Sequence, residues 1–387
     1  MKAAIFCFAT ATLSPLLGAL EALDSHVDLL SEWSASGGAW SSRLIPDDGV
    51  GRHPDAVFLP LADRPYAGAA AGSGARVTRG ANPVFDFTGV GAGEPLWVSV
   101  KGTAPVGDAQ LGFGDLPTFS GYGTYLETDP RVLPQPQTLA LPWIRHTYQG
   151  MTYLGAGEPH FSVSDQVSGS TVVWISTANG QADNFILYGG SHNHLNWWFS
   201  AQGVYRIAFT ASAFRGPGKT NPTGESAPFK LTFAVGPVAR WQAEHFSGSE
   251  LESPEIAGIS ADPDGDGLTN LIEYAFGLDP RSGTPAAHPP GLGLPVHSQE
   301  FSGGNWWQVV DFPRRRSDGA LAPLQYSAEF STDPAATEWL TDGEESVAKF
   351  TGDAAALNAA WEMVRVRRAV PPGQAVGFGR IRVLMPE

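Results

Sequence analysis

The sequence predicts an all-β protein: a large N-terminal β-sandwich of Ig-like or jelly-roll-like type, a short calcium loop-helix linker, and a small C-terminal β-sandwich. Three observations predict this. Only 16% of the 387 residues are charged, whereas 46 are Gly and 31 are Pro, a balance suited to many strands joined by tight turns. Apolar runs of strand length recur between clusters of Gly, Pro, Ser and Asn, and no run before residue 237 holds a helical period over three turns. The chain is also longer than one core usually supports, so two or three domains are expected.

The chain opens "MKAAIFCFATATLSPLLGALEALDS". Lys2 precedes an apolar run that ends near Leu20, with small residues behind it. This is the pattern of a secretory signal peptide, assigned to residues 1–23 with cleavage between about residues 19 and 24. Pro15 breaks the run, which is too short to span a bilayer. The expected location is outside the cell or on its surface. The single cysteine, Cys7, lies within this leader, so the mature chain has no thiol and no disulfide. Cys7 also sits in the middle of the apolar run rather than after it, which argues against lipidation. No later stretch is long and apolar enough for a membrane span.

Residues 24–236 form the expected first sandwich. Its candidate strands are "PVFDF" (83–87), "PLWVSV" (95–100), "TVVWIS" (171–176), "NFILYG" (184–189), "HLNWWFS" (194–200), "VYRIAFTA" (204–211) and "FKLTFAV" (229–235). Residues 101–150 are poor in clear strands, and the proline-rich "DPRVLPQPQTLALPW" reads as an extended loop. The composition changes near 237. "PVARWQAEHFSGSELESPEIAG" reads as a linker with one short helical turn, and the linker region continues through a Pro/Gly spacer to residue 295. Residues 296–387 resume strand-like runs and form the second, smaller β domain.

Within the linker, "DPDGDGLTNLIE" (262–273) carries the strongest local signal. Calcium takes six to eight oxygens, which a twelve-residue loop supplies from positions 1, 3, 5, 7, 9 and 12, with Gly at 6 for the sharp turn. Those positions are Asp262, Asp264, Asp266, the Leu268 carbonyl, Asn270 and Glu273, and position 6 is Gly267. A helix from about Thr269 to Phe276 should swing Glu273 onto the ion, and Gly277 should end it. The preceding "SPEIAGIS" does not read as helical. The stretch resembles the calcium loops of dockerins and thrombospondin type 3 repeats. That likeness implies a structural ion that stiffens a joint in a chain without disulfides.

The second signal is "SHNHLNWWFS" (191–200). On a strand, His192, His194, Asn196 and Trp198 share one face, while Leu195, Trp197 and Phe199 share the other. The apolar set belongs to the core, so the histidines point away from it. Two imidazoles at i and i+2 can hold one transition ion, zinc or copper, if a third ligand arrives from elsewhere. The alternative is a pair of polar surface residues bonded to loops.

The stretch "HNHLNWWFSAQGVYRIAFTASA" resembles the H-x-H-x-N-W-x-F signature of bacterial surface-anchored repeat proteins, whose module is called the choice-of-anchor M domain. The "DSHVDLLSEW" opening resembles the His-x-Asp start of the same module. The likeness covers residues 24–236 and implies metal or cofactor handling at the cell surface. It adds His26 and Asp28 to His192 and His194 as candidate ligands, with Asn196 beside them. The chain departs from the family pattern at Gln202-Gly203, where Pro usually precedes Gly, and no anchor segment is recognisable.

The net charge of −15 argues against nucleic acid and anionic membrane as partners and is compatible with cations. The three arginines of "DFPRRRSDG" (311–319) are expected to balance local carboxylates. Trp198 is a candidate for stacking a sugar, as is one of Trp306 and Trp307, although alternation sends the other member of each tryptophan pair inward. There is no G-x-S-x-G elbow, no H-E-x-x-H helix and no P-loop, so no catalytic residue is assigned. Three readings follow: a surface or secreted binding protein with a histidine metal site, a carbohydrate-binding or adhesive module, and a hydrolase with an unrecognised site.

Overall fold

The structure, a computed structural model, describes residues 18–68, 70, 73–113, 122–132, 140–167, 169–181, 184–188, 192–283, 291–317, 324–374 and 377–385. It is mostly β and sandwich-like, as the composition and turn spacing predict. One layer of the N-terminal part is a sheet in the order Glu21–Ala22, Val57–Leu61, Phe229–Val235, Gly203–Gly216, Trp143–Gly155, Asn184–Tyr188, with Thr220–Pro222 paired to the side of Gly203–Gly216. Two smaller sheets face it. The first runs Ser170–Ser176, Phe161–Val167, Asn196–Phe199, Pro95–Ser99, Arg76–Thr78. The second runs Asn193–His194, Gln110–Phe113, His26–Ser34, Ala39–Pro46.

A single core lies between these layers. Val27, Leu29, Leu111, Trp197 and Phe199 from the smaller sheets meet Leu59, Ile207, Phe209 and Phe233 from the large one, and all are buried. Alternation along each strand puts these side chains inward and leaves the opposite set toward water.

Several local expectations need correction. "PVFDF" is a 3-10 helix, Pro83–Thr88, not a strand. Asn82 caps it, with its Oδ1 accepting from Val84 N at 3.0 Å, and Pro83 needs no partner for an absent N–H. Gly89, at φ 73°, ends it. "HLNWWFS" is not one strand. It breaks at the buried Leu195, so His194 belongs to one sheet and Trp197 to the next. Among its described residues, the stretch 101–150 holds the strand Gln110–Phe113 and the start of the long strand Trp143–Gly155. Residues 133–139 of the proline-rich loop lie outside the described residues.

The chain's own contacts begin early. Leu20 and Leu23 are buried, and Glu21–Ala22 pairs in parallel with Val57 and Phe58, inside the stretch that the leader pattern spans. After Val235 the chain forms a nine-residue helix, Pro237–His245, rather than a free linker with a single turn. Trp241, Ala243 and Phe246 pack with Phe58, Leu154 and Val204 of the sandwich. "SPEIAGIS" contains a four-residue helix, Pro254–Ala257. The helix Asn270–Phe276 starts after Thr269 and stops at Gly277, φ 69°, as its sequence indicates.

The C-terminal part has a sheet in the order Val296–Ser302, Asn305–Arg315, Trp361–Ala369, Glu344–Ala348, and a pair Gln325–Ser331 with Phe378–Leu384. Val310, Phe312, Phe330, Val364 and Phe276 share its core, so the helix Asn270–Phe276 is also a wall of this domain.

Candidate metal centres

The first centre is assembled by sheet register. The strand His26–Ser34 lies parallel to Gln110–Phe113, with Asp28 opposite Gly112 and His26 opposite Gln110. On the other side of Gln110–Phe113 lies Asn193–His194, with His194 also opposite Gly112. Asp28, Gly112 and His194 therefore form one row across three strands, and His26 stands in the adjacent row of the same face.

The side chains converge. His192 Nε2 lies 3.1 Å from His26 Nε2, 3.1 Å from His194 Nε2 and 3.1 Å from Asp28 Oδ1. His26 Nε2 is 3.6 Å from Asp28 Oδ1. This His/Asp cluster has the donors and the spacing to hold a metal ion. An imidazole nitrogen carries one hydrogen or one lone pair in the ring plane. His192 Nε2 has three polar neighbours, so hydrogen bonding alone cannot satisfy them. A tetrahedral ion with ligands at about 2.0–2.1 Å spaces its donor atoms by roughly 3.3 Å, close to the separations observed here.

Two residues that sequence reasoning missed complete the centre. Gly112 is required by space: a Cβ there would collide with Asp28 Oδ1 and lie 2.6 Å from His194 Cε1. Asp47 Oδ1 is 3.1 Å from His26 Nδ1. With the Nδ1 proton donated to Asp47, the His26 Nε2 lone pair faces the cluster, the usual outer-shell arrangement for a metal-binding imidazole. The "DDG" turn after Ala39–Pro46 was the available signal for Asp47, and "QLGF" holds none for Gly112.

Burial, then the neighbouring imidazoles of His192 and His26, hold His194 below the usual histidine range. The effect keeps the ring neutral, as a ligand must be. His192 is 44% exposed, so the cluster is open to ions from solvent. Asn196 is not part of it: its Oδ1 accepts from Lys101 N at 2.8 Å. Trp198 packs edgewise on Phe85 and Phe87 at 5.9 and 6.3 Å, and its Nε1 donates to Ser164 Oγ.

The second centre is local. Asp262, Asp264 and Asp266 present carboxylate oxygens close enough to hold one ion. Their other contacts shape the loop. Asp262 accepts from Gly265 N and Gly267 N at 2.9 and 3.0 Å, and Asp266 accepts from Leu268 N at 2.8 Å. Gly265 and Gly267 have φ of 77° and 92°, where a side chain would be strained.

Three further oxygens, Asp264 Oδ2, Asn270 Oδ1 and Glu273 Oε2, are buried with no hydrogen-bond partner. Unpaired buried oxygens are costly. The carboxylates close enough to share one ion are those of Asp262, Asp264 and Asp266, and Glu273 falls outside that group. Asn270 is fixed from its other end, with Nδ2 donating to the Ile256 and Gly258 carbonyls. Burial, then the charges of Asp264, Asp266 and Asp262, push Glu273 up to about 8. The donor set therefore fits a hard, oxygen-seeking cation.

Around this loop the two halves of the molecule are tied together. Leu268 and Ile272 pack on the C-terminal core. The last-turn carbonyls of the helix accept from that domain, Tyr274 O from Arg315 Nε at 2.6 Å and Ala275 O from Tyr326 Oη at 2.9 Å. Tyr274 packs on Trp241 of the helix Pro237–His245.

No helix among the described residues is long and apolar enough to cross a membrane. No family model matches the chain and no curated protein matches it, so the likeness to surface-anchored repeat modules rests on the His-x-His and His-x-Asp motifs themselves.

Proposed function

We propose that the protein is a secreted or surface-displayed metal-binding protein in which His26, Asp28, His192 and His194 bind zinc, with calcium in loop 262–273 as a structural clasp. The convergence of three Nε2 atoms and one carboxylate oxygen on a single point carries the zinc reading. Three imidazoles and a carboxylate at near-tetrahedral spacing suit zinc better than copper(II), which prefers tetragonal geometry. Four protein ligands fill a tetrahedron and leave no position for a reacting water, so the site favours holding an ion over hydrolysis. Location outside the cell rests on the leader pattern and fits a calcium site of modest affinity.

Isothermal titration of the full mature chain with zinc and with copper(II) tests the reading. Stoichiometric zinc binding is expected, with loss in His192→Ala plus His194→Ala. Absence of zinc binding, or an unchanged isotherm in the double variant, overturns it.

A further inference from the structure

A cavity of about 710 Å³ lies where the N-terminal sandwich, the helix Pro237–His245 and the C-terminal domain meet. None of the candidate ligands of either metal centre lines it. Its size is that of a site for a small organic molecule. Leu61, Trp97, Leu154, Val238 and Leu324 give it apolar walls.

Its polar lining is unusual for a chain of net charge −15. Arg64, Arg240, Arg315 and Arg316 all reach it, against one carboxylate, Asp63. Asp63 is already engaged: it accepts from Arg76 at 2.8 Å, Trp97 Nε1 at 3.0 Å and Gln202 Nε2 at 3.1 Å. Arg240 is paired with Glu244 at 2.8 Å. Arg315 is stacked between Tyr274 and Trp361, 4.0 and 4.3 Å from their ring centres.

Arg64 and Arg316 differ. Among the described residues neither has a carboxylate within ion-pairing distance. Arg64 Nε is buried with no hydrogen-bond partner. Arg316 uses Nε on the Trp361 carbonyl at 3.2 Å, which leaves its two terminal nitrogens to point elsewhere. Asp108 senses the Arg64 charge, yet burial pushes it up to about 7, so it offsets that charge only in part. Guanidinium groups without anions are natural receptors for carboxylate or phosphate oxygens, and strongest where water is scarce.

We propose that this cavity binds an amphiphilic organic anion, with its apolar body against Leu61, Trp97, Leu154, Val238 and Leu324 and its oxyanion head held by Arg64 and Arg316. The proposal is independent of both metal centres. A cavity with apolar walls and guanidinium groups in its lining selects for a chain or ring bearing an anionic head. Inorganic anions would lose the apolar contribution, and cationic amphiphiles would meet four arginines.

The test is calorimetric titration of the full mature chain with dodecanoate, dodecyl phosphate and dodecyltrimethylammonium, each below its micelle-forming concentration, and with inorganic phosphate. Binding of either anionic amphiphile is expected, and the tighter of the two names the head group. Inorganic phosphate and the cationic amphiphile should bind much more weakly. Arg64→Ala with Arg316→Ala should weaken anion binding by about tenfold or more, since charge-assisted hydrogen bonds are the strong ones. Val238→Trp, which keeps both arginines and fills the space, should also lose it, and this variant decides the matter if the arginine pair fails to fold in a thermal melt. No anion binding, equal binding of the cationic amphiphile, or wild-type affinity in Val238→Trp overturns the proposal.

Discussion

The loop 262–273 carries its oxygen donors within one turn and the start of a helix. The histidine cluster joins His26 to His192, 166 positions apart. The loop's shape is set by its own side chains, through Asp262 and Asp266 bonding the backbone of residues that follow them. The cluster's shape is set by the register of three strands, with Gln110–Phe113 as the shared middle member. The local group is thus shaped mainly by residues of its own segment, whereas the assembled one can be damaged at a residue, Gly112, that carries no donor.

Gly112→Ala breaks this comparison most directly. The added methyl collides with Asp28 and crowds His194, so the donors cannot keep their spacing. Outer-shell changes already cost about 10–100-fold in metal affinity, so displacing two ligands should cost more than about 100-fold in zinc affinity. The calcium-dependent rise in melting temperature should be unchanged. A zinc isotherm that matches the wild type would show that the strand register does not control the centre.

What the sequence made legible follows the same division. The Asp262, Asp264 and Asp266 group was readable because spacing along the chain is spacing in the loop. Alternation placed Trp197 and Phe199 inward within their strand, but parity could not show that the chain breaks at Leu195 and carries His194 into a different sheet. The likeness at "DSHVDLLSEW" drew attention to His26 and Asp28, but nothing local to "QLGF" announces that Gly112 stands between Asp28 and His194. That fact depends on which strands are neighbours and in what register, and three segments distant in sequence must be placed to know it. "PVFDF" failed for the opposite reason: its β-forming residues were overruled by a capping Asn82 and a proline.

Acid should separate the two regions next. His146 is buried beneath the cluster-bearing strand, its Nε2 3.0 Å from Ser31 Oγ and its ring stacked on Phe185 at 4.8 Å. Burial lowers it to about 3. The folded state thus refuses a proton that the unfolded chain accepts below its ordinary value of about 6.5. Stability is intact above that value and falls as pH drops from about 6.5 toward about 3, by roughly 1.4 kcal/mol per unit at most. By pH 5 the loss is about 2 kcal/mol. In denaturant melts His146→Phe should flatten this slope; an unaltered slope would assign the acid sensitivity to other groups.

On the proposed reading, calcium should act on the other region and more weakly. With free calcium about tenfold above a dissociation constant of order 10⁻⁴ M, stabilisation is about 1–2 kcal/mol. It should appear as a chelator-sensitive shift in melting temperature. Glu273→Gln should abolish the shift, because an amide cannot ionise on ion binding and puts an NH₂ donor where a carboxylate oxygen stood, and it should leave zinc binding intact. A variant that still responds fully to calcium would remove Glu273 from the ligand set.

The smallest effect tests whether the assembled centre has a support of its own. Asp47 touches no proposed ligand atom, only His26 Nδ1 at 3.1 Å, and it is well exposed. A carboxylate there fixes the tautomer that leaves Nε2 free and raises the basicity of the ring. Asp47→Asn keeps the size but can rotate its NH₂ toward Nδ1 and so favour the wrong tautomer. Zinc affinity should fall by about tenfold, with melting temperature in the absence of metal unchanged. Asp47→Glu, which restores the charge at a longer reach, should recover part of the loss. If Asn and Glu replacements bind zinc equally, Asp47 is merely a surface residue near His26, and the centre is held by strand register alone.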